Sequence, residues 1–159
     1  MFNDHGLYHK KGKFGNLPAG EIGFAPVERK TNGTIVIDKT MAAIGKLKNP
    51  IKIEVKKGFA KRISGKSESK KLNKLLKSLK NKNVYNIAEF AIGTNYKAKI
   101  TGIPLEDEKV YGTVHIALGD NTSYPGGKTK APTHLDGVIS KPTIFIEKKK
   151  IMEKGELFV

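Results

Sequence analysis

The chain has 159 residues, enough for one domain with a hydrophobic core but a squeeze for two. Its formal net charge is +15, from 30 basic against 15 acidic residues, and Arg29 and Arg62 are its only arginines; a lysine excess lacking arginine's planar fork argues against a dedicated phosphate or nucleic-acid reader and suits an AT-rich or thermophile source. The lack of cysteine excludes a disulfide framework and a thiolate metal site, and with no apolar run near the ~18 residues of a membrane span and no signal-like N-terminus, the expectation is a cytoplasmic protein with no membrane partner.

In chain order, residues 1–16 are polar and glycine-rich and read as a loose lead-in or an edge strand. Asn16-Leu-Pro-Ala-Gly-Glu21 is a turn feeding an extended segment from Glu21 to Val27. Asn32-Gly33 is a hairpin-turn signal before the alternating Thr34–Asp38. Ile51, Ile53 and Val55 alternate with Lys52, Glu54 and Lys56, a half-buried strand that turns at Lys57-Gly58 into a partner, Phe59 to Ile63. Leu72, Leu75, Leu76 and Leu79 fall at helical spacing, predicting an amphipathic helix over about 67–80 capped by Ser67 or Ser69. Its lysines have no aromatic interleaving and read as a solvated face. Strands are then expected at Asn86–Ile92, Tyr111–Leu118, Pro142–Glu147 and Lys150–Phe158, with a loop over Gly119–Lys130. The sum is one α+β domain over 1–159, its β-rich mixed or antiparallel sheet or partial barrel joined by one clear helix.

Chemistry gathers at few positions. Alternation along Tyr111–Leu118 puts His115 on one face with Thr113 and Ala117, opposite Val114, Ile116 and Leu118. That places His115 on a firm strand, facing a space lined by small residues and accessible as a ligand. His134 and Asp136 share a face about two residues' rise apart (roughly 6.5–7 Å), so imidazole and carboxylate can converge on one ion. Glu89 lies in the apolar run Ile87–Ile92, where a carboxylate is costly unless a cation or donors compensate it, and Glu21 raises the same question. Gly126-Gly-Lys-Thr129 lacks the first glycine of a phosphate-binding loop, and Glu106-Asp-Glu108 reads as a solvated acidic turn.

Asn16-Leu-Pro-Ala-Gly-Glu21, Ala88-Glu-Phe-Ala-Ile-Gly-Thr-Asn95, Gly112-Thr-Val-His-Ile-Ala-Leu-Gly119 and His134-Leu-Asp-Gly137 occur in this order. From about residue 14 onward, the chain resembles the C-terminal metal-binding part of the thermophilic metalloaminopeptidase, or aminopeptidase T, family. The resemblance implies a β-rich domain holding two divalent ions (zinc, cobalt, manganese or magnesium), with the family's N-terminal α/β domain absent. It implies Glu21, Glu89, His115, His134 and Asp136 as metal ligands, Glu89 as the bridge and Tyr124 as the catalytic tyrosine. The implied activity is removal of N-terminal residues from peptides by a metal-activated water, in a possible homodimer.

A second expectation keeps the metal and changes the chemistry. His115, His134 and Asp136 make the two-histidine, one-carboxylate set of non-haem Fe(II) oxygenases, and a ring-cleaving dihydroxypyridine dioxygenase of the same fold is similar to this chain. A third, resting on charge or on loss of activity, is a basic nucleic-acid-binding module or an inactive remnant.

Overall fold

The computed structural model describes residues 1–158, and its strands follow the alternations of the sequence. In chain order they are β1 Phe2–Asp4, β2 Glu21–Phe24, β3 Gly33–Ile37, β4 Thr40–Met41, β5 Gly45–Lys46, β6 Ile51–Lys56 and β7 Phe59–Ser64. Helix α1 (Ser67–Ser78) and a single 3-10 turn, Lys82–Tyr85, lead to β8 Ile87–Gly93. A one-turn helix α2 (Pro104–Asp107) precedes β9 Thr113–Gly119, β10 His134–Ser140, β11 Ile144–Ile146, β12 Lys149–Glu153 and β13 Glu156–Leu157.

All named pairings are antiparallel, in a seven-stranded sheet ordered β1-β2-β8-β9-β10-β4-β5 and two three-stranded sheets, β3-β6-β7 and β11-β12-β13. Among the described residues no sheet closes into a barrel, and the expected β-rich α+β class is the one found. The N-terminal residues supply the edge strand β1, paired to β2 from Phe2 opposite Gly23 to Asp4 opposite Glu21.

The core lies between one face of the large sheet and the layer made by β3-β6-β7 and α1. Ile51, Ile53 and Val55 point inward from β6, and Leu72 and Leu76 from α1. Leu75 and Leu79 pack at its margin, so the leucine stripe is the buried face of the helix. The large sheet contributes Ile87, Leu118 and Leu135, which stand side by side across β8, β9 and β10. Burying each such side chain contributes on the order of 1.5–3 kcal/mol.

Local differences from the sequence reading have local causes. Lys57 and Gly58 both adopt positive φ, 51° and 73°, and make the expected two-residue turn between β6 and β7. Asn32-Gly33 is not a hairpin turn. Gly33 opens β3, whose partner is the distant β6, and the Asn32 carboxamide oxygen instead accepts from the Lys57 backbone N–H at 2.9 Å. Neither serine caps α1. Lys66 is the N-cap residue, the Ser67 hydroxyl donates to Glu68, and the Ser69 hydroxyl donates to the Lys66 carbonyl. The C-terminal segment is not one strand, because Lys154-Gly155, with φ of 49° and 91°, folds it into the β12–β13 hairpin. Among the described residues no helix is long and apolar enough to cross a membrane.

Candidate metal centre

The strand register that builds the core also builds the site, on the opposite face of the same strands. Glu89 in β8 stands opposite Ala117 in β9, and Ala117 stands opposite Asp136 in β10. Two rows away on the same face, His115 lies between Ala91 and Val138, while Glu21 at the start of β2 pairs with Gly93. Small residues at 91, 93 and 117 leave room for the longer polar chains between them. The result is a cavity of about 310 Å³ lined by Glu21, Glu89, His115, Tyr124, His134 and Asp136, the six positions expected from the sequence.

The histidines are held differently. His134 places Nδ1 2.7 Å from the Asp120 carbonyl, which can only accept, so Nδ1 carries the proton. Its Nε2 then faces inward, 3.0 Å from Glu89 Oε2, 3.3 Å from Asp136 Oδ1 and 3.4 Å from the Tyr124 hydroxyl. His115 Nε2 lies 3.2 Å from Glu21 Oε2 and 3.5 Å from Glu89 Oε1. His115 is only 1 % exposed, which corrects the expectation of an accessible ligand on a strand. Glu108, between α2 and β9, and Glu21, at the start of β2, lie beside it.

This geometry drives the titrating groups far apart. Burial opposes the charge on Glu89, but hydrogen bonds from His115 and His134 outweigh it and hold its carboxyl down at about 2. Burial likewise works against protonating His115, yet bonding to Glu21 and Glu89 pushes it up to about 10. His134 rises to about 11 on its bonds to Asp136 and Glu89, again against burial. Burial and then the negative charge of Glu89 raise Tyr124, keeping its hydroxyl a donor. Burial, with the charge of Asp136 behind it, lifts Glu108 to about 7.

Protons do not satisfy this centre. Glu21 Oε2, Glu89 Oε1, Asp136 Oδ1 and His115 Nδ1 are buried with no aligned hydrogen-bond partner. Unpaired buried carboxylate oxygens are costly, and three of them around one cavity fit a bound cation. Three overlapping sets have ligand atoms all within 4.8 Å of one another: Glu21–Glu89–His115, Glu89–His134–Asp136 and Glu108–His115–Asp136. None of these sets contains both imidazoles, because Glu89 stands between His115 and His134. Carboxylate oxygens with imidazole nitrogens suit zinc, manganese and ferrous iron.

The turn Glu106-Asp-Glu108, expected from the sequence to be solvated, is in part buried, and so is Lys109 beside it. Glu108 is buried and lines the cavity, and Lys109 is 0 % exposed with Nζ 2.6 Å from Glu21 Oε1 and 2.6 Å from Glu108 Oε1. Burial works against the ammonium, but the charges of Glu108 and Glu21 outweigh it and keep Lys109 protonated. Asp107 is buried too. It accepts from the Thr101 N–H at 2.7 Å, the Gly102 N–H at 3.0 Å and the Thr40 hydroxyl, which ties α2 to the sheet. Gly93 permits that approach, since a Cβ there would meet the Val110 carbonyl oxygen at 2.2 Å. The sheet partners of this turn, Glu21 and Thr40, are far away in the sequence, and no local pattern marks them.

Tyr124 is carried by the loop after β9. Its ring stacks on His134 with centroids 5.4 Å apart and meets the Phe2 ring of β1 at 4.8 Å. Glu28 braces the loop from outside by accepting from the Asn121 side-chain amide at 3.1 Å, the Lys128 N–H at 3.0 Å and the Thr129 hydroxyl at 2.9 Å.

A family model described as NicX, 2,5-dihydroxypyridine 5,6-dioxygenase, matches residues 1–159. The chain belongs to this family. It is 27% identical over 171 residues to a 2,5-dihydroxypyridine 5,6-dioxygenase of Pseudomonas putida, covering 97% of this chain and 47% of that protein. The solved 2,5-dihydroxypyridine dioxygenase from Pseudomonas putida KT2440 superimposes with a TM-score of 0.78 at 26% identity, over 86% of this chain and 42% of that one. AmpT from Thermus thermophilus superimposes with a TM-score of 0.71 at 20% identity, over 91% of this chain and 41% of that one, and shows likeness of fold. The chain spans about half the length of these relatives.

The family match overturns the expected metalloaminopeptidase, with its hydrolase chemistry and peptide substrates. What survives of that resemblance is the fold. The physical reason is that both kinds of protein share this architecture, so ordered motifs identify the scaffold without choosing its reaction. The reading that the comparisons support is the ring-cleaving dioxygenase.

Proposed function

We propose that this chain forms the metal-centre part of a dioxygenase that opens a dihydroxylated pyridine or closely similar ring, using one ferrous ion. The family match along the whole chain carries the reading, and the orphaned carboxylate oxygens beside two imidazoles support it. His115, His134 and Asp136, the two-histidine, one-carboxylate set expected from sequence, would hold the ion, with Glu89 standing between the two imidazoles. Ferrous iron supplies the one-electron chemistry by which ground-state oxygen reacts with a closed-shell ring.

The protein's own groups do the rest. A cavity of about 310 Å³ is at the small end of ligand pockets and suits a single ring. Pro104 and Leu105 give one wall an apolar surface for a flat substrate. Tyr124 keeps its proton and donates a hydrogen bond to an oxygen of the bound ring. Glu108, with proton affinity centred near neutrality, accepts the proton that a ring hydroxyl sheds. Cleavage of this kind retains both atoms of O2 in the product and takes its electrons from the ring bond that breaks, so no separate reductant is required.

The test is anaerobic loading with Fe(II), then addition of 2,5-dihydroxypyridine and air while oxygen uptake and ring absorbance are followed together. One O2 consumed per ring lost is the expected result. A protein that holds iron yet consumes no oxygen with this ring or with catechol-like rings would lack the proposed activity.

A further inference from the structure

The positive charge of the chain gathers on the helix side of the core, where a groove of about 840 Å³ runs between α1 and β7. Lys70, Lys74 and Lys77 line it from one face of α1, at i, i+4 and i+7, and Lys61 and Arg62 line it from β7. A second groove of about 330 Å³ adjoins it, sharing Ala60, Lys61 and Tyr85, and adds Arg29 and Lys82. The joined track collects seven cations, both arginines of the chain among them, and no carboxylate among the described residues.

Regular alternation would send Lys61 and Arg62 to opposite faces of β7. A bulge prevents it. Glu54 pairs with Arg62 and Val55 with Ala60, so Lys61 is an extra residue without a partner, and both cations turn into one groove. Lysines and bulges at a sheet edge often guard it against pairing with other strands. Here that guard is already present, because Asn73 Nδ2 donates to the Ile63 carbonyl at 3.0 Å and Phe59 bridges to Asn86. The cations of β7 are therefore free for another partner. Glu54 meets Arg62 only at 3.9 Å between exposed side chains, too loose a pair to hold it.

We propose that this track binds single-stranded nucleic acid without reading its sequence, the cations on the phosphates and Tyr85 against a base. Taken alone, the lysines of α1 have no aromatic neighbour in sequence. The fold supplies two, Tyr85 from the 3-10 turn where the grooves join and Phe59 from β7. Arg29 and Lys61 lie over the Phe59 ring at 5.7 and 5.5 Å, which holds two of the cations in place. An aromatic ring beside a basic groove suits unpaired bases, whereas a duplex keeps its bases stacked and an acidic peptide offers none. The two guanidiniums add planar, bidentate phosphate donors to a chain otherwise limited to lysine. The inference stands apart from the ring-cleavage reading, since no residue of the track lines the metal cavity.

The experiment is fluorescence anisotropy of short labelled oligouridylate and oligothymidylate, with duplex DNA, heparin and polyglutamate as competitors. Both single strands are expected to bind. Neutralising about five phosphates makes affinity fall on the order of a hundredfold between about 50 and about 200 mM salt. Lys61→Glu with Arg62→Glu is expected to weaken binding at least about tenfold. Lys148→Glu with Lys149→Glu, on the β11–β12 turn, makes the same change of net charge and should weaken it no more than about twofold. Tyr85→Leu should cost about tenfold for the oligonucleotides and leave heparin unaffected. Equal losses from the two reversals would mean that net charge attracts the strand, and the proposal would fall. It falls too if heparin, polyglutamate or the duplex competes as well as a single strand while Tyr85→Leu changes nothing, or if no strand binds at low salt. Lys70→Glu with Lys74→Glu, both on the exposed face of α1, is the second reversal should circular dichroism show the first to be unfolded.

Discussion

Two neighbouring rows of residues on the same three strands, one step apart on β9 and β10 and set off by a register shift on β8, divide the work of this molecule. Ile87, Leu118 and Leu135 face the helix-covered core, and Glu89, Ala117 and Asp136 face the polar cavity. The first row gains free energy simply by leaving water. The second takes carboxylates out of water and leaves some of their oxygens unpaired, which costs free energy unless a cation completes the set. Adjacent rows of one sheet thus separate what stabilises the fold from what performs chemistry, and each can be perturbed without the other.

The largest expected effect is on the apolar row. Leu118→Ala removes a side chain that is 1 % exposed, and the cost is on the order of 2–5 kcal/mol, read as a large fall in melting temperature. Folded Leu118→Ala protein should keep its metal affinity within a few-fold. A variant that melts normally but loses metal would join the two rows that the comparison separates.

On the polar row, Glu89→Gln keeps shape and removes the charge shared by both imidazoles. Metal affinity should drop about a hundredfold or more, on the order of 2.7 kcal/mol, with a smaller shift in melting temperature than Leu118→Ala gives. Titration calorimetry of metal into the two proteins measures it.

The same row should respond to pH while the apolar row does not. His115 and His134, raised to about 10 and about 11, carry protons at neutral pH and must lose them to bind metal. Metal uptake near pH 7.5 should therefore release about two protons, and affinity should climb up to about a hundredfold per pH unit below that range. Calorimetry in buffers of different ionisation enthalpy counts the protons, and a value near zero would mean the imidazoles were neutral beforehand. In the protein without metal the sign is opposite. The stabilisation from the raised histidines is complete below the unfolded value near 6.5 and fades as pH rises through about 10 and 11.

The contrast between the rows also explains what the sequence revealed. Period-two alternation in β6 and the leucine stripe of α1 are one-dimensional records of burial, so the apolar half of the architecture was legible. His115, His134, Asp136 and Glu89 stood out because polar groups in such patterns are anomalies, and all line one cavity. Glu108 reads as solvated and Lys109 carries no signal at all, because a charged turn looks the same in water and against a distant partner strand; only tertiary contact distinguishes them. The choice between hydrolase and dioxygenase was not legible either, since the ordered motifs accompany a fold that both kinds of protein use.

The smallest expected effect lies at the edge of the polar region, where Glu28 meets the loop that carries Tyr124. Its two oxygens collect three donors, from Asn121, Lys128 and Thr129, and those bonds lower its carboxyl against the opposing effect of burial. Asn121 in turn accepts from the Thr129 N–H at 2.8 Å, so one half-buried carboxylate closes the base of the loop. Glu28→Ala removes that brace but leaves every cavity-lining side chain in the sequence. Because the donors can turn to water, stability should fall by only about 1 kcal/mol. The loop should loosen more than the fold does, with faster amide exchange at residues 121–129 and unchanged exchange in β8 and β9. Equal acceleration in the loop and in those strands would mean that Glu28 supports the whole sheet, and the polar region would then be less separable from the core than its register suggests.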